Sequence, residues 1–245
     1  MSDVSTQLRR ILLPIDVSRD SQTALEVAFD LAAALRGEVS GLFIEDIDLL
    51  TAASLPFARE VGSFSGISRR IGPADMEHRF RAVASKARGM LVEAGQRLKV
   101  HFSFRVARGD VPSEILTAAT GADILVLGKA GWSAGAFRKP GSTCLAILSR
   151  SHIPVLIVER GVKLAPPILA VNDGTAAGRR AVEFAHELGD ILGWEIAVFA
   201  LQGTSTGDDV LQRIHQERPR LVVLPSSLAL RERASELKDA VLFVP

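Results

Sequence analysis

Leu127-Gly128-Lys129-Ala130-Gly131, followed after nine residues by Gly141-Ser142-Thr143, decides how the rest of this chain is understood. Ile124 to Leu127 is an apolar run that enters the first glycine as a buried strand would. Glycine has no Cβ, so at 128, 131 and 141 the backbone can take positive φ and a ligand can come close to it. Ser142 to Arg150 then predicts a helix. Its first N–H groups have no intrahelical partners and carry the positive end of the dipole. Phosphate is the natural occupant of such a place. The stretch predicts a strand, a loop and a helix arranged to hold a phosphorylated ligand, with a nucleotide as the first candidate.

Working outward, apolar runs alternate with amphipathic ones. Arg10 to Ile15 is a strand ending at Asp16, and Ser21 to Arg36 spaces Leu25, Ala28, Phe29, Leu31, Ala32 and Leu35 as a helix does. Asp16, Ser18, Asp20 and Ser21 are candidates to cap that helix, and Gly37 closes it. Glu38 to Glu45 is a second strand. Asp46 to Pro73 has little periodicity and contains Pro56, Gly62, Gly66 and Gly72, which predicts mostly loop. Asp75 to Arg97 is a long helix, Lys99 to Ala107 an alternating strand, Val111 to Thr120 a helix, Asp123 to Leu127 a strand, and Pro154 to Val158 a final strand. The fold class is α/β: a doubly wound parallel sheet, Rossmann-like or flavodoxin-like, in the order 3-2-1-4-5. Strands one and four then lie side by side where the winding reverses, and Asp16 and Gly128 converge at their carboxyl ends.

After a linker, Gly161 to Pro166, the pattern returns. An ungapped shift of 157 pairs Ile11 with Ile168, Asp16 with Asp173, Ala24 with Ala181, Leu31 with Leu188 and Glu38 with Glu195. Leu221 to Leu224 resembles Ile124 to Leu127, and Val241 to Val244 resembles Val155 to Val158. The chain is thereby divided into two domains, 1–160 and 167–245, the second a truncated repeat without the 46–73 segment or the spaced glycines. A unit that small buries little core alone, so it is expected to pack on the first copy or on another subunit.

Composition narrows the function. A net charge of +1 and no arginine-rich, aromatic-interleaved run argue against nucleic acid as a partner. No run of about 18 uncharged apolar residues is present, so no membrane span is expected. The polar start and the single cysteine, Cys144, fit a reducing, cytoplasmic setting.

With these residues in hand, the chain resembles the universal stress protein family, in particular its ATP-binding branch, whose G-x2-G-x9-G-(S/T) motif is matched by Gly128, Gly131, Gly141 and Ser142. Ile11 to Ser18 is similar to the family's first strand with its aspartate, and Leu42 to Asp46 to the end of its second. The likeness is good over about 1–160 and only in outline over 167–245. It implies ATP or a related adenine nucleotide, with or without Mg, as ligand. Asp16 would bond the ribose or adenine side, the backbone around Ile44 would meet the adenine edge, and Leu127 would pack on the base. The amides of Gly128, Gly131, Gly141, Ser142 and Thr143 would line the phosphates. It also implies a dimer, met either by two subunits or by the two repeats within one chain. Lys129 departs from the family's small or neutral residue and either contacts phosphate or points outward. Gly109-Asp110-Val111-Pro112 is one residue longer than the family's Gly-x-Pro turn.

Other patterns carry less. Gly131-Trp132-Ser133-Ala134-Gly135 matches a nucleophile elbow, but three residues separate it from the strand, and Pro140-Gly141 interrupts the segment where its helix should run. Asp173 with His186 or His215 would have to complete it. The five histidines have no metal-site spacing. Arg138 and Lys139 are loop cations, the arginines at 69, 70, 79 and 81 a solvated helix face, and Cys144 a packed core thiol. Neither a catalytic base nor a metal is expected, so the protein is expected to be a regulatory binder and not an enzyme, with slow ATP hydrolysis left open. The alternative is a stress-family interaction module that binds no nucleotide and acts by assembly.

Overall fold

The structure is a computed structural model that describes residues 8–61, 66, 68–129, 142–201, 207–226, 237 and 239–245. The first half runs β1 (Arg10–Pro14), α1 (Arg19–Leu35), β2 (Glu38–Asp46), α2 (Ile47–Ser54), a hairpin of β3 (Arg59–Val61) and β4 (Ser68–Arg70), and α3 (Pro73–Leu98). It continues through β5 (His101–Gly109), α4 (Val111–Ala119), β6 (Ile124–Gly128), α5 (Ser142–Arg150) and β7 (Val155–Val158). The second half is β8 (Ile168–Asn172), α6 (Ala176–Leu192), β9 (Ile196–Ala200), α7 (Gly207–Glu217), β10 (Leu221–Pro225) and β11 (Ala240–Val244).

Among the described residues the large sheet has the order β5-β2-β1-β6-β7-β11-β10-β8-β9. Its first five strands reproduce 3-2-1-4-5, all parallel. The second half repeats four of them in mirrored order, so β8, β9, β10 and β11 stand where β1, β2, β6 and β7 stand in the first. No counterpart of β5 or α3 is present among the described residues, and β9 is a sheet edge. The two halves meet where β11 pairs antiparallel with β7, Val241 opposite Ile157, Leu242 opposite Leu156 and Phe243 opposite Val155. Of the two partners expected for the second half, the first copy or another subunit, the structure pairs it with the first half of the same chain.

That seam explains how a half-size unit is stable. Its strands contribute to apolar layers that cross from one half to the other. One layer joins Leu13, Phe29 and Val158 to Ile168, Ala185 and Leu242. The opposite layer joins Leu12, Leu125 and Ile147 to Leu169, Ile214 and Phe243. Each strand residue faces one layer or the other, as the period of two requires.

Three expectations are corrected. The 46–73 stretch is not mostly loop: it forms α2, which begins where Asp46 accepts a hydrogen bond from Asp48 N, and the β3/β4 hairpin. α2 buries only Ala53, so it left no apolar stripe to detect. Arg69 and Arg70 lie on β4 and not on a helix face; Arg69 and Arg79 both bond Glu60. The hydrogen bond from Arg79, followed by that from Arg69, holds the Glu60 carboxyl below its ordinary range. Finally, α1 is closed by Arg36, whose φ is +52°, and not by Gly37. Gly37 is required because a Cβ there would stand 2.3 Å from the Arg9 carbonyl oxygen.

Candidate functional site

The candidate site lies at the carboxyl ends of β1 and β6. These strands are paired at Ile11–Ile124 and Leu12–Leu125, and the pairing stops there. Leu125 N donates to Pro154 O and Lys129 N to Val158 O, both toward β7. Along a parallel strand successive residues address opposite neighbours, so Gly128 turns its backbone polar groups toward the β1 side, beyond the last β1–β6 pair. The two strands therefore part at the switch point of the winding, with main-chain groups at their ends.

Asp16 forms the opposite lip. Its Oδ1 accepts from Ser18 N at 3.0 Å, Ser18 Oγ accepts from Ser21 N at 3.2 Å, and Ser21 Oγ accepts from Asp16 N at 3.1 Å. This closed ring of bonds fixes the strand tip against the first turn of α1, with Ser18 as its N-cap. Between Asp16 and Ser18 the chain passes through Val17 at φ +65°. A β-branched residue there is strained, at about 1–3 kcal/mol, and persists because the surrounding bonds dictate it.

Gly128 has a packing role as well. A Cβ on it would stand 2.8 Å from Asp20 C and 2.9 Å from Ser21 N. The missing side chain brings α1's first turn onto the tip of β6. Leu127 is buried in the same apolar layer that Ile44, Ala107 and Val111 pack against. Leu127 and Ile44, predicted from different strands, thus share one apolar floor. Ser142 and Thr143 open α5, Ser142 exposed and Thr143 half-buried. Gly131 and Gly141 lie outside the described residues, as do Arg138, Lys139 and the 131–135 elbow pattern.

At the far rim, Asp110 caps α4 by accepting from Ser113 N, with Pro112 inside the first turn. The added residue of Gly109-Asp110-Val111-Pro112 is thus absorbed as a helix cap. The hydrogen bonds from Ser113 lower the Asp110 pKa below the usual aspartate range.

Lys129 behaves as neither alternative foresaw. It is 6% exposed, and its ammonium donates to Glu159 Oε2 at 2.9 Å and to Leu237 O at 2.8 Å. It points inward, across the seam. Sequence reasoning missed Glu159 altogether; its place one residue after β7, beside the residue that follows β6, was the available signal. Cys144 is a packed core thiol, and its burial pushes its pKa up to about 12, outweighing the opposing charge of Lys129. Asp173 is engaged in the turn before α6, where its Oδ1 accepts from Thr175 N. Among the described residues no group of three or more His, Cys, Asp or Glu side chains is placed to hold a metal ion. No helix among them is long and apolar enough to cross a membrane.

The acidic strand tip and the glycine strand tip thus stand at the switch point of a doubly wound sheet, the place where folds of this class bind ligands. The model of the universal stress protein family matches residues 7–159, more than half of the chain, and the protein belongs to that family. Among solved structures, a universal stress protein from Archaeoglobus fulgidus DSM 4304 is similar at 18% identity and TM-score 0.71, over 97% of this chain and 98% of that one. A functionally unknown protein from Pseudomonas aeruginosa PAO1 matches at 12% identity and TM-score 0.64, over 99% and 94%. A universal stress protein assigned as putative, from Pseudomonas aeruginosa UCBPP-PA14, matches at 11% and 0.58, over 97% and 93%. At these identities the likeness is one of fold. No curated protein matches the chain.

Proposed function

We propose that the protein is a cytoplasmic stress-response regulator of the ATP-binding branch, in tandem form, that binds ATP or a related adenine nucleotide in its first half. The observation that carries this is the parting of β1 and β6 after Leu12 and Leu125, with Gly128 on one lip and Asp16 on the other. The residues present suit the ligand. Asp16 would meet the ribose or adenine side, the Ile44 backbone and Leu127 the base, and Gly128, Gly131, Gly141, Ser142 and Thr143 the phosphates. Phosphate is favoured there because amides at the start of α5 offer hydrogen bonds and partial positive charge without a lysine or arginine.

Binding would act as a switch and not as catalysis. The degenerate second repeat serves as structural partner, and the β7–β11 seam stands in for a subunit interface. Titration calorimetry with ATP to millimolar concentration tests the proposal: saturable heat is expected, and its absence would leave a stress protein that works without nucleotide. Phosphate release above background in the same preparation would revise the non-enzymatic part. Gly141→Trp should abolish the heat while leaving the far-ultraviolet circular dichroism intact. Equal saturable heats from wild type and variant would mean that ATP binds away from the spaced glycines; the interaction-module alternative takes over only if neither gives heat.

A further inference from the structure

Burying an ammonium is unfavourable unless it is paired and hydrogen-bonded, and Lys129 is both. The second repeat shows that the fold does not need it. Ser226 follows β10 as Lys129 follows β6, and Ser226 N donates to Val244 O as Lys129 N donates to Val158 O. The backbone junction is thus made equally well with a serine, and the lysine side chain supplies something beyond it. What it supplies is a link. One end of Lys129 is bonded to Gly128 at the candidate nucleotide site, and the other end holds Glu159 after β7 and Leu237, three residues before β11.

We infer that Lys129 is a positioning residue that couples occupancy of the nucleotide site to the seating of β11, so that the second repeat reads the state of the first. This rests on the nucleotide proposal above. Coupling of this kind is reciprocal: whatever ATP adds to the seating of β11, the seated strand adds to ATP affinity.

Hydrogen exchange of the full chain, with and without ATP, tests it. Ligand binding slows exchange everywhere through global stability, so β8 serves as the internal reference. In wild type, ATP is expected to slow exchange at Leu237 and Ala240–Val244 roughly tenfold more than at Ile168–Asn172. Lys129→Met should remove that excess and weaken ATP binding by a similar factor; Lys129→Arg should restore part of both. Glu159→Gln, at a half-exposed position, gives the same loss in milder form if Lys129→Met fails to fold. A wild-type protein that binds ATP with no excess slowing at β11 overturns the coupling and leaves nucleotide binding standing. So does a Lys129→Met or Glu159→Gln protein that keeps the excess. A wild-type protein that gives no ATP heat removes both.

Discussion

The first half of the molecule parts its switch-point strands one pair earlier than the second half does, on the same order of strands. β1 and β6 pair only at Ile11–Ile124 and Leu12–Leu125, whereas β8 and β10 pair at the two corresponding positions and once more, at Ala170–Val223. Where the first half has Gly128, the second ends its strand with Pro225, which has no N–H to offer an anion. The strand-tip turn is nevertheless kept. Asp173 accepts from Thr175 N, and Thr175 caps α6, in the manner of Asp16 and Ser18. The aspartate turn is therefore a device of the fold in both halves, and what differs between them is the strand end that faces it, Gly128 in the first and Pro225 in the second.

The largest expected effect lies where the halves join. Phe243 is fully buried in the seam opposite Val155, within a layer containing residues of both halves. Phe243→Ala should cost about 3–5 kcal/mol by transfer and cavity terms. Because the layer is shared, urea unfolding followed at Trp194 and by circular dichroism should shift together in one transition. Two separated transitions would show that the halves are independent domains that merely touch.

Gly128→Val comes next. The new side chain would meet main-chain atoms of Asp20 and Ser21, which cannot swing aside. A loss of about 1–3 kcal/mol is expected from overpacking, with α1 pushed off β6 and nucleotide binding weakened more than stability. Equal stability to wild type in thermal melts would mean that Gly128 does not seat α1's first turn on the tip of β6.

The same two halves show how far the sequence could be read. Strand order was legible because most strands alternate with helices of clear period, and the acidic tip and the glycine strand end fall together as topology demands. α2 was not legible, having a single buried residue. The inward course of Lys129 was hidden as well. A lysine beside a glycine motif suggests a phosphate contact, and only the positions of Glu159 and Leu237, 30 and 108 residues away, reveal its partners. Nor could the apolar ends at 154–158 and 241–244 say whether they pair with each other or with another chain, since an edge strand has no preference until a neighbour is placed. Gly131 and Gly141, the centre of the motif, fall outside the described residues.

A smaller effect separates the two turns. Val17 takes φ +65° where its counterpart Gly174 takes +79°. A Cβ at Gly174 would meet nothing within 4 Å, so Gly174→Val isolates the backbone cost, about 1–2 kcal/mol. Val17→Gly relieves strain but gives up Val17's packing on the core layer and loosens the unfolded chain, so its net change should be under about 1 kcal/mol. Denaturation midpoints of the two variants check this. If Gly174→Val were neutral, the turn in the second half would be free to leave its left-handed conformation, and Asp173 would not be held as Asp16 is.

The smallest expected effects have opposite signs in the two halves. Asp110, in the first, has its pKa lowered by the Ser113 hydrogen bonds. Its ionised form is favoured by folding, so that contribution is present above the ordinary aspartate pKa and lost as pH falls through the lowered native value. Asp239, in the second, has its pKa raised, mainly by burial, against the opposing charges of Arg220 and His215. Folding favours its protonated form, so its contribution is greatest in acid and declines as pH rises from the ordinary aspartate range through the raised native value. Asp110→Asn should therefore flatten the acid limb of a stability–pH curve, while Asp239→Asn should gain stability relative to wild type toward neutral pH. Urea midpoints from pH 3 to 7 read both, and the two difference curves should slope in opposite directions. Parallel curves would mean that the approach to β11 is as solvated as the cap of α4, which is hard to reconcile with a buried Lys129 ammonium held at Leu237, two residues before Asp239.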